Sequence, residues 1–367
     1  MPYAHITGWG MYVPEPVLTN DDLAKIVDTS DEWIRERTGI RERRIARAHE
    51  FPSTLGTKAA LQALSVANLR PTDLDLIICT TSSPEYVFPA TAALIQDQIG
   101  APQAGAFDLM AACSGFIYAV NMAAQAIRSG SIRNALVVGT ETLSRFVNWQ
   151  DRSTCILFGD GAGAFVLQAS SQPGGVLSAV MHSDGSGGNL LTLPVLGGRV
   201  PANEATLHRG HQYIYMDGRE VFRFATRMMV SATEEVLRNA RLSKEEVSLI
   251  IPHQANYRII ETAARGLRLP MERFVVNVDR YGNTSTASIP IATVEAVQSG
   301  RLKPGDTVVF VGFGAGLTWG ALAAKWTGPL PSPRKITVSR YRLVGRVRSL
   351  LRRLQRYLEG LIWGRKA

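Results

Sequence analysis

The chain has 367 residues, 46% hydrophobic and 19% charged, with a formal net charge of +9. That apolar content excludes disorder for the bulk of the chain, and the length passes the ~250–300 residues at which single cores stop growing. Two domains, or one duplicated unit, are expected.

No apolar run approaches the ~18 residues that a membrane span needs. The opening MPYAHITGWGMYVPEP lacks the basic and apolar regions of a signal peptide. Cys79, Cys113 and Cys155 are too widely spaced for a disulfide framework or a zinc cluster, which points to a cytosolic protein. The charge is unevenly placed. Residues 328–367 hold eleven basic side chains against Glu359 alone, a net of +10, so the remainder carries −1. The basic balance belongs to an appendage, and a nucleic-acid partner is not expected.

In chain order, residues 1–326 alternate strand-like and helix-like runs, the pattern of an α/β protein. A helix is expected over 53–69 with Ser53 as its cap, then a buried strand over 75–81. A strand over 104–110 leads into an apolar helix over 114–129, followed by a strand over 134–139. Later come a helix over 221–237, a strand over 248–253 leading into a helix from Gln254, a helix over 288–297 and a strand over 307–312. The pattern GxGAG occurs twice, at 159–163 and 312–316, each read as a tight strand-to-strand turn. The echo fits two copies of one α/β half, with domains at 1–172 and 173–327. A Pro-containing linker is expected over 328–339, and a basic amphipathic helix over 340–367.

Three residues stand where α/β proteins place chemistry. Cys113 lies at a strand-to-helix corner, where a helix N-terminus lowers a thiol's pKa; a small buried hydrophobe is an equal reading. Cys79 lies within one strand and Cys155 is read as starting another, so both are assigned to the core. His253 ends an apolar strand beside a helix start. Asn283 sits in a Gly-Asn loop that is also ordinary turn chemistry. Spacing alone does not join them.

CSGF from Cys113, PHQANYRII over 252–260 and YGNTSTASIP over 281–290 closely resemble β-ketoacyl-acyl-carrier-protein synthase III. DTSDEWIRERTGIRERR over 28–44, DRSTCILFGDGAGA over 151–164 and GFGAGLTWG over 312–320 extend the resemblance across about 1–326. It implies the thiolase fold, a duplicated α-β-α-β-α sandwich, as a homodimer. It also implies decarboxylative condensation of an acyl-CoA primer, commonly acetyl-CoA, with malonyl-acyl-carrier protein, and neither metal nor other cofactor.

By that resemblance Cys113 is the nucleophile, His253 and Asn283 hydrogen-bond the malonyl thioester oxygen, and the backbone N–H groups of Cys113 and Ala315 hold the oxyanion. Trp33, Arg37, Arg152 and Asn256 match CoA-binding positions. Gln254, Ala255, Asn256, Tyr257 and Arg258, helped by Arg223 and Arg265, match the carrier-protein docking segment. Phe88, Leu143, Phe158, Leu191 and Ile214 match the acyl pocket, which Leu317 and Ile214 are expected to reshape. Ala315 departs from a common Gly and is strained if its φ is positive. Two other readings of the chain are an acyl-transferring relative with a different acceptor and a non-catalytic acyl-CoA binder. For the tail, the readings are packing on the body or a second copy, an anionic membrane surface that makes the enzyme peripheral, or a carrier-protein surface.

Overall fold

The computed structural model describes residues 1–195, 197–330 and 337–362. Runs such as Ile77-Ile78-Cys79 and Ala135-Leu136-Val137-Val138 are buried throughout, the signature of strands covered on both faces. They belong to Leu76–Thr80 (β2) and Asn134–Glu141 (β4), which join Tyr3–Tyr12 (β1), Gly105–Asp108 (β3) and Gly161–Ser170 (β5) in one sheet. Its order is β1-β5-β4-β2-β3, with β2 parallel to β3 and β4, and β5 antiparallel to both its neighbours.

A second sheet holds Gly175–Ser183 (β6), Leu249–Pro252 (β7), Thr307–Gly314 (β8) and Thr318–Lys325 (β9) in the order β7-β8-β9-β6. The two sheets repeat one plan: β6 takes the place of β1, β9 of β5, β8 of β4 and β7 of β2. A parallel bridge from Ile250 to Phe274 stands where β3 would be. The turn between the halves runs from the end of β5 at Ser170 to the start of β6 at Gly175.

Helices complete five layers. Gly115–Arg128 (α4) and Ser288–Gln298 (α7) lie between the sheets, in one core with Phe165, Phe310 and Trp326. Pro52–Ala67 (α2) and Thr91–Ile99 (α3) cover the outer face of the first sheet. Gly218–Ala240 (α5) and Tyr257–Leu267 (α6) cover that of the second. Asp31–Thr38 (α1) stands at the side, capped by the Ser30 hydroxyl. This is the expected duplicated α-β-α-β-α sandwich, and the basic C-terminal segment forms a helix at Val338–Ile362 (α8).

Local details differ from expectation. Helix α2 begins one residue before Ser53, and the Thr54 hydroxyl accepts the Phe51 N–H, so Ser53 caps nothing. Cys155 is buried in a turn rather than at a strand start, because Asp151 draws the 151–155 segment into hydrogen-bonded turns. The helix expected from Gln254 starts at Tyr257, where Asn256 caps it. The second GxGAG does turn tightly from β8 into β9, but the first runs straight into β5. Residues 331–336 of the expected linker, and Trp363, Arg365 and Lys366 of the tail, lie outside the described residues.

Phe165 is fully buried, its ring 4.9 Å from Phe116 and 5.8 Å from Phe310. Phe165→Ala should cost ~3–5 kcal/mol through the cavity left between the sheets. Chemical unfolding checks this, and an unchanged midpoint would contradict the layered core.

Candidate active site

The chain leaves β3 at Asp108, and Ala112 turns it sharply at φ +45° into the short turn Ala112–Ser114 and then α4. Cys113 therefore sits at the first turn of a central helix. The Ser114 hydroxyl bonds Ala111 O and Thr318 Oγ1, both at 2.7 Å, which fastens the corner to β9. At the end of β8, a Cβ on Gly314 would stand 2.7 Å from the Cys113 nitrogen, so only glycine permits that approach.

In the second half the same position, ahead of α7, is taken by residues 283–288. Asn283 is pinned by its N–H to Leu157 O at 2.7 Å, and its Oδ1 accepts the Ser285 N–H at 2.8 Å. That leaves Nδ2 with no partner among the described residues. Ser285, at φ +45°, lines the same cavity as Cys113. The Ser288 hydroxyl meets His253 Nδ1 at 2.7 Å. His253 follows β7, its ring edge against Phe313 at 5.3 Å, and its buried Nε2 has no hydrogen-bond partner among the described residues. In the tautomer where Ser288 donates to Nδ1, the Nε2 atom carries the ring proton.

Beneath this segment lies Glu141, fully buried at the end of β4. Its carboxylate accepts the Ser82 N–H at 3.0 Å, the Ser83 hydroxyl at 2.6 Å and the Thr286 hydroxyl at 2.9 Å. It ties the loop after β2 to the turn before α7. Burial raises its pKa, opposed by these hydrogen bonds.

Burial also governs the two groups of the site. It pushes the Cys113 thiol up to about 12, with the Glu141 charge adding to the rise and Ser285 opposing it. Loss of water thus acts against the lowering expected from the helix N-terminus. Burial holds His253 down at about 3, so the ring is neutral at any working pH. The unfolded imidazole takes a proton near ~6.5. Stability from this group is therefore complete above that pH and is lost as pH falls toward the folded value.

A cavity of about 680 Å³ opens over Cys113, Ser285 and Ala315. Leu143, Phe158, Leu191 and Ile214 line it. Phe88 does not; it is 83% exposed on the loop before α3, which projects its ring away from this chain. Leu317 is also absent from the lining, buried instead against Gly187. Ala315 does not adopt a positive φ, so its methyl is unstrained there.

The residues matched to CoA binding converge. The Arg37 and Arg152 guanidinium carbons lie 4.5 and 5.1 Å from the Trp33 ring centre, and Asn256 Nδ2 donates to Arg37 O at 3.0 Å. The docking set splits. Arg223, Arg258 and Arg265 are exposed on α5 and α6. Gln254 is buried, its amide bonded to Pro252 O, Val275 O and the Asn277 N–H, which removes it from any docking surface. Ala255 and Tyr257 are half-buried against the α5–α6 core and the α1 side.

Sequence reasoning passed over Glu141, Ser285 and Ser288. A lone acid ending the apolar run NALVVGTE was the one available signal for Glu141; the two serines stood unmarked inside YGNTSTASIP.

The N-termini of the two duplicated central helices meet at Cys113 and the 283–288 segment, whose Ser285 shares the cavity of Cys113 while His253 and Asn283 stay outside its lining, in a thiolase-type fold. Residues 107–185 match the family model for 3-oxoacyl-[acyl-carrier-protein] synthase III, and residues 237–326 match the model for its C-terminal part. The chain is 53% identical over 325 residues to β-ketoacyl-[acyl-carrier-protein] synthase III of Roseiflexus sp., covering 89% of this chain and 99% of that one. The enzyme of that name from Symbiobacterium thermophilum is 55% identical, with 88% and 97% covered. The crystal structure of 3-oxoacyl-[acyl-carrier-protein] synthase III from Aquifex aeolicus superposes with a TM-score of 0.81 at 50% identity, covering 88% of this chain and all of that one. The chain belongs to the β-ketoacyl-[acyl-carrier-protein] synthase III family.

Two outcomes follow from the site's geometry. With the thiol at about 12, alkylation of Cys113 by iodoacetamide should rise about tenfold per pH unit from 7 to 10. Peptide mass spectrometry reads the rate, and a plateau near neutral pH would contradict a buried neutral thiol. Glu141→Ala orphans several buried donors, each worth ~1–3 kcal/mol, and should cost at least ~3 kcal/mol; Glu141→Gln should cost less. Denaturant midpoints test this, and equal losses would mean that the acceptor role is unimportant.

Proposed function

We propose that this enzyme condenses an acyl-CoA primer, acetyl-CoA first among candidates, with malonyl-acyl-carrier protein to open fatty-acid synthesis. The observation that carries the reading is that one segment, whose Ser285 shares the cavity of Cys113, holds both Asn283 and, through Ser288, His253, whose Nε2 and the Asn283 Nδ2 find no partner among the described residues. A fold leaves buried polar atoms unpaired rarely, and here a substrate oxygen satisfies them.

In the first half-reaction the Cys113 sulfur attacks the primer's thioester carbonyl. The proton leaves the thiol as the bond forms, the oxyanion is held by the Cys113 and Ala315 N–H groups, and the CoA thiol departs protonated. In the second, the malonyl C–C bond breaks and CO2 leaves, placing its electron pair on the thioester oxygen as an enolate. His253 Nε2–H and Asn283 Nδ2–H stabilise that charge where it develops. The enolate carbon then attacks the acyl-Cys113 carbonyl, the new C–C bond forms, the C–S bond breaks, and the departing Cys113 thiolate takes a proton from water to restore the thiol. A neutral ring suits the task, since it donates a hydrogen bond to the developing enolate oxygen without handing over a full proton. Only the two substrates are needed; no cofactor enters a step.

Trp33, with Arg37 and Arg152, is assigned to the CoA adenine and phosphates, and Asn256 to their support. Arg223, Arg258 and Arg265 are assigned to the acidic carrier protein, with Ala255, Asn256 and Tyr257 shaping the approach. Leu143, Phe158, Leu191 and Ile214 are assigned to the acyl chain. The exposed Tyr86, Val87 and Phe88, beside edge strand β3 with its exposed Phe107, support a homodimer in which a second copy covers this side. A cytoplasmic enzyme fits three free cysteines, with any surface attachment left to α8.

The test is mass spectrometry of the carrier after incubation with acetyl-CoA and malonyl-acyl-carrier protein. A β-ketoacyl product is expected, abolished in Cys113→Ala and reduced at least ~100-fold in His253→Ala and Asn283→Ala. Trp33→Ala should raise KM for acyl-CoA while leaving KM for the carrier unchanged. Acylation of Cys113 without condensation would overturn the reading in favour of transfer to another acceptor.

A further inference from the structure

Helix α8 is amphipathic, and it is docked the wrong way round for a core helix. The positions shielded by the body are Val338, Tyr341, Arg342, Gly345 and Ser349, one face at helical spacing. Val338 enters the core beneath α2 and α3, and Gly345 abuts Gly100 so closely that neither tolerates a Cβ. Arg342 Nε donates to Gln98 O at 3.3 Å, and Arg353 pairs with Asp97 at 2.9 Å. The small and polar face is thus the one that packs.

The apolar face points the opposite way. Leu343, Val344, Val347, Leu350, Leu351, Leu354, Tyr357, Leu358 and Leu361 are each 48–67% exposed. At 100° per residue they occupy an arc of about 140°, with Arg346 and Arg353 along one edge and Arg348 along the other. Within 338–362 seven arginines face Glu359 alone. Packing of the apolar stripe on the body, one of the readings for this tail, is therefore excluded.

We propose that this face lies on an anionic lipid bilayer, with the leucines in the acyl boundary and the flanking arginines among the headgroups. Charge complementarity selects that occupant. A second copy would bring a net +6 against +6, with Glu359 beside the Arg348 edge as the one acidic residue to offset it. A carrier protein at α8 would stand at the wrong end of the molecule. The root of α8 packs beside Pro71–Asp73 and Gly100, at the N-terminal ends of β2 and β3, whereas Cys113 follows their C-terminal ends. Nor does α8 cross the bilayer, since among the described residues no helix is long and apolar enough to do so.

The experiment is co-sedimentation of the full chain with vesicles of phosphatidylcholine and phosphatidylglycerol at 3:1, beside pure phosphatidylcholine. Binding to the mixed vesicles is expected at least tenfold above the neutral ones. Leu350→Glu/Leu354→Glu should abolish it, and Arg346→Gln/Arg348→Gln should weaken it several-fold, with vesicle-free condensation unchanged in both. Absence of binding, or equal binding to neutral vesicles, overturns the proposal. So does a mass by light scattering that falls in Leu350→Glu/Leu354→Glu, which would assign the stripe to a second copy. A raised KM for the carrier in that variant would assign it to the carrier protein. None of these outcomes depends on the catalytic assignment, which the acylation and condensation assays test separately.

Discussion

The site depends on one buried carboxylate. Glu141 is a buried acid with no cationic partner among the described residues, satisfied instead by hydroxyl and N–H donors from the loop after β2 and the turn before α7. Those two segments belong to different halves of the duplicated fold. Because Ser83 and Thr286 are themselves buried, neither can exchange Glu141 for water, and losing their bonds costs several kcal/mol. The turn so fixed is the one that holds Asn283 on one side and, through Ser288, His253 on the other. Duplication explains the address: each half sends one central helix into the middle layer, and the two N-termini meet. In the proposed reaction one contributes the nucleophile, the other the donors.

The second constraint is dryness. Burial keeps both the thiol and the imidazole neutral, so the resting site stores no ion pair. Charge arises only during reaction, on oxygens already flanked by oriented donors, where a low-dielectric setting makes each hydrogen bond stronger. The same dryness makes acylation, rather than decarboxylation, the step sensitive to pH. The histidine's neutrality is thus a working condition of the site.

Helix α8 inverts the usual logic of amphipathic packing. Its anchor is a glycine-to-glycine approach with polar contacts around it, leaving the leucine stripe for something other than this chain. The body carries almost no net charge, and the appendage supplies nearly all the positive charge. Catalysis and attachment are therefore separable on the same polypeptide.

The strands β2, β4 and β8 and the helices α2, α4, α5 and α7 were legible in the sequence because hydrophobic period is local information. So were Cys113, His253 and Asn283, carried by motifs whose wording resembles one family over 326 residues. Tertiary structure alone decided the rest, since each point turns on neighbours distant in sequence. It set the thiol's pKa high, because the atoms that exclude water from Cys113 come from both halves. It removed Gln254 from the surface, Phe88 and Leu317 from the cavity, and brought in Glu141, Ser285 and Ser288. It also decided which face of α8 packs, for an amphipathic pattern states that a helix has two faces but not which one the body will accept.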